Sequence, residues 1–425
     1  MSGETPSLTF THISNRNRRR LVVISLWILA VLGTLALAYE RYHSNASFIP
    51  RSNLTRSHDF WIFYHAAQQI SDGRSPYAVH LVAINPGYVY SPLVALLLVP
   101  FVHLGVSVLW RAWLAASVLA LVATAVLASR AEAFSSKDWS APVLFGVASG
   151  SLLRFQPTIV LFSNGNSDAF VLFLLGVAAL ATERGRGIAS GVLLGLVGVI
   201  KTWPWAIVLV VVRRGVVQRR RTVLAFALVS MSAPLLALFP RGPSELLQWM
   251  RNSTTASSQN LVSTSVWGAP RALFTTTGTA RPVLVSTPLH WLTMIIFAAW
   301  VIALLTICLR WSTNSRLSFW NITGCVVLLL PVSHADYTVY LLPIMWIWLA
   351  RALSEKKWRS PTTLVAGAMC IWWVSLLPAT FFSWQPTASA VSVEIPFFAN
   401  LLAVSISVAS DQFLSRGPAT GPLAH

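Results

Sequence analysis

Acidic side chains are scarce in this sequence, and Asp59 is the first candidate for acid–base chemistry. The chain has 425 residues, of which only 13 are aspartate or glutamate. Asp59 begins a segment whose apolar residues recur at helical spacing and predict an amphipathic helix over 58–71. A carboxylate there could take a proton from a hydroxyl as that hydroxyl attacks. The alternative is structural, with Ser57 as the N-cap and Asp59 stabilised by the helix dipole.

Lys201 is the candidate cation for binding a phosphate. It follows the apolar run 187–200 and precedes Trp203 and Pro204, which places it at the end of a helix hairpin broken by proline. An ammonium there could bind a phosphate group as a point charge. The alternative is a lysine that extends its side chain to the membrane interface.

Two further polar turns interrupt apolar sequence. The turn 163–168 carries Asn166 and Asp168, and the turn 331–337 carries His334 beside Asp336. An ionisable residue at membrane depth is a functional candidate, and a histidine there is titratable near neutral pH. For Asp168 or Ser167 an N-cap role is equally compatible with the pattern, and His334 could equally be a structural residue at a helix end.

A long segment, 240–287, contributes arginines that could bind phosphate or anionic headgroups. Arg251 and Arg271 lie in it among serine, threonine and amide side chains. Segments of this length without an obvious element are usually functional or disordered. Contact with surface lipid is the alternative role for each arginine.

Nothing in the sequence indicates a resident cofactor. No glycine-rich nucleotide motif, paired-cysteine site or His-x-x-x-His pair is present. Three cysteines in apolar stretches read as small core residues. A divalent metal is compatible with the carboxylates but is not indicated by them.

The composition places these residues in a membrane protein. Hydrophobic residues make up 55% of the chain and charged residues 10%, whereas a soluble domain has roughly 25% charged residues. The net charge of +18 comes from short basic runs between apolar stretches, as the positive-inside rule produces. We therefore exclude a soluble enzyme and expect membrane lipids, not nucleic acid, as surroundings.

The basic clusters predict the topology of an all-α, polytopic bundle of about 11–14 transmembrane helices. Residues 1–20 form a cytoplasmic tail, 21–413 a single membrane body and 414–425 a second cytoplasmic tail. The segments 40–89 and 240–287 then lie on the non-cytoplasmic side of the cell membrane, with helix 58–71 at its surface. Arg154, Gln156 and Pro157 interrupt the stretch 141–180, and such irregularity is tolerated where it lines protein or a water-filled cavity.

Several segments together resemble glycosyltransferase family 87 of the GT-C superfamily, which includes polyprenol-phosphate-dependent mannosyltransferases and arabinofuranosyltransferases. The similar segments are 59–67, 73–77, 90–92, Gly165 with Asn166, 201–204 and 333–337. The resemblance implies a GT-C-like bundle, a polyprenyl-phosphate sugar donor, a glycolipid or glycan acceptor, and Asp59 as base of an inverting transfer. It also implies supporting roles for Tyr64, His65, Tyr77, Asn166 and His334. Asn166 stands where the family usually has glutamine.

Three functions fit these observations. The first is a membrane glycosyltransferase that moves a sugar, mannose by preference, on the outer face, with Lys201 and Arg251 or Arg271 holding the donor phosphate. The second is a transporter or flippase of lipid-linked sugars, although no matching interrupted halves are visible. The third is a polymer ligase with a lipid diphosphate donor.

Overall fold

The computed structural model confirms an all-α protein. It describes residues 15–47, 58–78, 88–131, 139–201, 203–209, 218–238, 242–259, 263–276, 280–312, 315–355, 359–378 and 388–416. Ser57, the expected N-cap of the first-loop helix, lies outside these ranges. No strand is present in the described ranges, where one isolated bridge joins Arg281 to Ser389.

The α-helices are numbered in chain order. They are α1 (Asn15–Ala46), α2 (His58–Ser71), α3 (Leu93–Leu98), α4 (Val106–Ala131), α5 (Ser140–Arg154), α6 (Gln156–Asn164), α7 (Asp168–Glu183), α8 (Gly187–Ile200), α9 (Arg219–Ser230), α10 (Ser232–Ala237), α11 (Pro243–Gln259), α12 (Gly268–Phe274), α13 (Thr287–Trp311), α14 (Ser315–Leu329), α15 (Leu342–Glu355), α16 (Pro361–Ser375), α17 (Ala390–Val393) and α18 (Ile395–Arg416). Short 3-10 helices cover Pro76–Ala78, Val99–Leu104, Trp203–Val208 and Ala335–Leu341.

Six described helices are long and apolar enough to cross a membrane, or up to seven if the bent pair α5 and α6 forms one span. The chain is therefore a multi-pass membrane protein by length and composition. Four other apolar helices have only 10–17 residues. If these four short helices are also counted as crossings, the described helices give up to 11, the lower end of the expected 11–14.

The predicted interruption in 141–180 is a real break. Helix α5 ends at Arg154, Phe155 is extended, and α6 leaves at an angle of 56°. Pro157 occupies the first turn of α6, where its missing N–H breaks no helical hydrogen bond. Helix α6 therefore leads into the turn 163–168, whose residues 165–168 are buried inside the protein.

Helix α2 occupies the predicted residues 58–71, and Asp59 lies in its first turn. Its apolar face is buried against protein, since Phe60, Phe63, Ala67 and Ile70 are all buried. Phe63, Ala67 and Ile70 share a buried cluster with α3, Val199 of α8 and Trp249 of α11. Protein therefore covers the apolar face of this amphipathic helix.

Helix α11 shows that the long segment 240–287 is substantially helical and braces the first loop. Glu245 accepts a hydrogen bond from the Ser75 hydroxyl at 2.5 Å. The Asn252 side-chain nitrogen donates to the carbonyls of both Tyr77 and Tyr88, at 3.2 Å each. One amide therefore holds the backbones of Tyr77 and Tyr88 together.

Helix α8 packs on α9 at backbone contact. A Cβ added at Gly191 would lie 2.2 Å from the Thr222 carbonyl oxygen, and one at Gly195 would lie 2.7 Å from the Val229 Cβ. Small residues at four-residue spacing allow such close approach between membrane helices. This contact fixes the position of α8 along α9, and thereby the position of Lys201 at the end of α8.

Glu394 is a buried carboxyl group between α17 and α18. It is 0% exposed, and neither of its oxygens has a hydrogen-bond partner among the described residues. Burial raises the pKa of Glu394 to about 8, because a carboxylate loses its hydration there. The group is therefore protonated in the folded protein at neutral pH.

We expect Glu394→Gln to flatten the pH dependence of stability. The folded protein holds this proton up to about pH 8, whereas an unfolded glutamate releases it near pH 4.3. Folding thus binds a proton between these values, so stability falls as pH rises through the window, by at most about 1.4 kcal/mol per pH unit. Thermal midpoints of the purified protein between pH 5 and 9 measure this slope. Asp72→Asn, at an exposed carboxylate, should leave it intact.

Candidate functional site

The turn between α6 and α7 is built around Gly165. Its φ of +67° lets the chain reverse, and the amide of Asn166 donates to the Leu161 carbonyl at 3.1 Å. A Cβ at this position would lie 2.6 Å from both the Phe60 Cβ and the Trp110 ring. The turn therefore packs directly on the first turn of α2, next to Asp59.

Lys201 and Asp168 form a buried ion pair beside this turn. Their Nζ and Oδ1 atoms are 2.5 Å apart, and the two side chains are 2% and 0% exposed. The expectation that Lys201 reaches the membrane interface is therefore wrong. The Tyr340 hydroxyl donates to the same Oδ1 at 2.5 Å, and the Tyr337 ring lies 4.4 Å from the ammonium.

Asn166 connects this pair to Asp336. Its Oδ1 accepts from Lys201 at 3.0 Å and its Nδ2 donates to Asp336 at 3.0 Å. A carboxamide can offer an acceptor to the cation and a donor to the carboxylate at once. Asp336 is itself 3% exposed. These contacts bring together four residues named from the sequence: Asn166, Asp168, Lys201 and Asp336.

Neither Ser167 nor Asp168 makes a side-chain capping hydrogen bond at the start of α7. Ser167 occupies the N-cap position, but its side chain makes no capping hydrogen bond. Asp168 is the first residue of the helix, and its Oδ1 is engaged by Lys201 and Tyr340. Its Oδ2 has no hydrogen-bond partner among the described residues.

Tyr90 lies in the electrostatic field of both Asp59 and the buried pair. Partial burial raises the pKa of Tyr90, the carboxylates of Asp59 and Asp168 raise it further, and the Lys201 ammonium opposes them. All three charges are therefore near this phenol, which stays protonated and able to donate a hydrogen bond. We name the group Asp59, Tyr90, Asn166, Asp168, Lys201, Asp336 and Tyr340 the polar cluster.

The other first-loop residues surround the polar cluster. Tyr64 accepts a hydrogen bond from the Gln68 amide at 3.1 Å. His65 meets the Trp61 ring edge-on at 4.4 Å, and burial lowers the pKa of His65, so its imidazole is neutral at pH 7. Tyr77 is fully buried and donates to the Tyr90 carbonyl at 3.3 Å. It positions Tyr90 and is closed to solvent.

The predicted arginines make no hydrogen bond or ion pair with the polar cluster in the described part of the chain. Arg251 is exposed on α11 and Arg271 is half-buried in α12, and neither forms an ion pair within the described part of the chain. His334 contacts the Tyr337 ring edge-on at 5.7 Å and so borders the cluster. Among the described residues, no three His, Cys, Asp or Glu side chains lie close enough together to hold a metal ion.

Sequence reasoning missed Tyr90, Tyr340 and Trp203 as members or neighbours of the site. Trp203 packs against the Tyr340 ring at 5.0 Å and so supports it. Only weak sequence signals point to two of these residues. Tyr90 lies in one of the family-like segments, and Tyr340 follows Asp336 by four residues.

We expect Lys201→Met to destabilise the protein by roughly 3–5 kcal/mol, because it leaves a buried carboxylate unpaired. The double variant Lys201→Met with Asp168→Asn should recover part of this loss, since it removes both charges. Denaturation of the purified single and double variants measures the coupling. Additive losses would contradict a direct ion pair.

The similarity of this chain to known proteins lies at the level of the family. Among curated proteins, none matches at a significant level. The profile of glycosyltransferase family 87 matches residues 88–333, which is more than half of the chain. The matched region contains Tyr90, Asn166, Asp168 and Lys201, whereas Asp59 precedes it. With the resemblance noted in the sequence thus confirmed, this multi-pass membrane protein belongs to glycosyltransferase family 87.

Proposed function

We propose that this glycosyltransferase moves a sugar from a polyprenyl-phosphate donor to a glycolipid or cell-envelope glycan, with Asp59 as general base. The observation that carries the proposal is the placement of Asp59. It lies in the first turn of α2, against the Gly165 turn, and its charge acts on Tyr90. Mannose is the first sugar to test, and the non-cytoplasmic face is the proposed side of transfer.

The proposed reaction is a single displacement. The acceptor oxygen forms a bond to the anomeric carbon as the bond from that carbon to the phosphate oxygen breaks. The acceptor proton passes to the Asp59 carboxylate, and the electron pair leaves with polyprenyl phosphate. Attack from the face opposite the phosphate inverts the anomeric configuration.

The polar cluster supports this role by holding its members rigidly. Asp59 is half-buried, so a hydroxyl can reach it, while Asp168 and Lys201 are closed to solvent. Tyr90 keeps a protonated hydroxyl near these charges, suited to donate to a sugar oxygen. Preorganised groups of this kind lower the cost of aligning acceptor and donor.

The contacts of Lys201 favour a positioning role over direct phosphate binding. Lys201 contacts Asp168 and Asn166, so we assign it to positioning these side chains. Its direct contact with the donor phosphate stays a prediction, as does that of Arg251 and Arg271. Two buried carboxylates beside one ammonium do not favour an added anion at that point.

The test is sugar transfer from synthetic polyprenyl-phosphate mannose to native membrane glycolipid by the purified protein. We expect Asp59→Asn to lower kcat by roughly 10²–10⁴-fold with little change in KM for the donor, the range for loss of a general base. Asparagine keeps the size and the capping capacity of aspartate but cannot accept the proton.

Asp72→Asn is the matched control, because it removes an exposed carboxylate of the same loop that pairs with Arg74. It should retain wild-type turnover. Full activity of a folded Asp59→Asn protein would refute the assignment of the base. If the wild type transfers neither mannose nor arabinose from polyprenyl phosphate, the donor assignment is refuted.

A further inference from the structure

A second charged group lies at the end of α1, outside the polar cluster. Arg154 Nη2 is 2.9 Å from Glu40 Oε2, and Arg41 Nη2 is 3.6 Å from Glu40 Oε1. Glu40 and Arg41 are on the last turns of α1, and Arg154 is the last residue of α5. Two guanidinium groups thus share one carboxylate, and the group carries a net positive charge.

Arg41 retains an unused donor in this group. The residue is only 9% exposed, and its Nε has no hydrogen-bond partner among the described residues. A buried N–H without an acceptor costs free energy, which a bound anion would recover. Arg154, by contrast, has a half-exposed side chain that an incoming group can reach.

This group lies at the same end of the bundle as the polar cluster. The Trp110 indole donates to the carbonyl of Asn45, one turn after Arg41 on α1, at 3.0 Å. The same indole ring contacts Gly165, which packs on Phe60 beside Asp59. One layer of side chains therefore separates the two arginines from the turn that carries Asn166.

The rest of α1 presents an apolar surface. Leu29, Leu32 and Leu35 are exposed by 66%, 58% and 59%, and only 11% of the apolar window of this helix is buried. A stripe of this kind in a membrane protein lies against lipid chains. It ends at Glu40 and Arg41, so a chain along the stripe would bring its headgroup to the two arginines.

We propose that Arg41 and Arg154 bind the phosphate group of a lipid whose hydrocarbon chain lies along α1. The planar guanidinium presents paired donors that match phosphate oxygens, and phosphate would replace or share the contacts now made by Glu40. The ligand is either a polyprenyl phosphate or a bilayer phosphoglycerolipid. Its identification as the donor rests on the proposed function, whereas the phosphate site does not.

The competing explanation is a brace, in which Glu40 merely ties α1 to α5. The two explanations predict opposite effects of Glu40→Gln. If Glu40 only ties the two helices together, loss of its carboxylate should weaken lipid binding as much as loss of either arginine. In a phosphate site, the carboxylate competes with the ligand, so its removal preserves or strengthens phosphate binding.

The experiment measures the thermal midpoint of detergent-solubilised protein titrated with polyprenyl phosphate, which carries no sugar, or with phosphatidylglycerol. We expect at least one lipid to stabilise the wild type in a saturable way. Arg154→Gln, at an exposed side chain, should raise the half-saturating concentration about tenfold, the loss of one charge-assisted hydrogen bond. Arg41→Lys, which keeps the charge and loses the fork, should raise it less.

Arg310→Gln is the matched control, because Arg310 is exposed in the last turn of α13 and should leave half-saturation unchanged. Stabilisation by polyprenyl phosphate alone identifies the donor lipid, and equal stabilisation by phosphatidylglycerol identifies a bilayer lipid. Both results support the site. Unchanged half-saturation in Arg154→Gln, or weakening by Glu40→Gln equal to that of the arginine variants, overturns it. Since no transfer is measured, failure of Asp59 as base would not affect the outcome.

Discussion

The architecture around the site depends on the burial of one ammonium and its neighbouring carboxylates. An isolated charge in a protein interior costs several kcal/mol, so Lys201 is stable there only if its partners are held in place. Three chain segments supply those partners: the start of α7, the turn at Asn166 and the 3-10 helix Ala335–Leu341. Each segment is thereby fixed relative to the end of α8.

Close contacts at glycines fix the relative positions of the helices that carry these residues. Glycines on α8 let its backbone approach α9 closely, and Gly165 lets the turn between α6 and α7 approach α2 and the Trp110 ring. Position is then set by main-chain geometry, which side-chain motion barely alters. The contact at Gly165 also fixes the position of Asp59, which lies next to Phe60 on α2.

Local patterns predicted much of this site and failed where contacts span long sequence distances. The spacing of apolar residues gave helix 58–71 its correct ends, and Pro157 marked the break after α5. Tyr340 was missed because its partner Asp168 lies 172 residues away, and nothing in a single sequence pairs two such positions. The same limit explains why Lys201 resembled an interfacial lysine: burial is a property of the surrounding helices. Helix α11 was missed as an element because its sequence is rich in serine and threonine, which favour helix interiors weakly.

Asn252 has a consequence for how the first loop can change during evolution. Its single amide holds the carbonyls of Tyr77 and Tyr88, so the two ends of residues 79–87 are closed independently of what joins them. The entropy of closing a loop rises by only about 0.6 kcal/mol for each doubling of its length. Insertions or deletions between these two tyrosines should therefore be tolerated without displacing Tyr90. The segment between these two tyrosines is therefore a suitable place to insert a peptide tag.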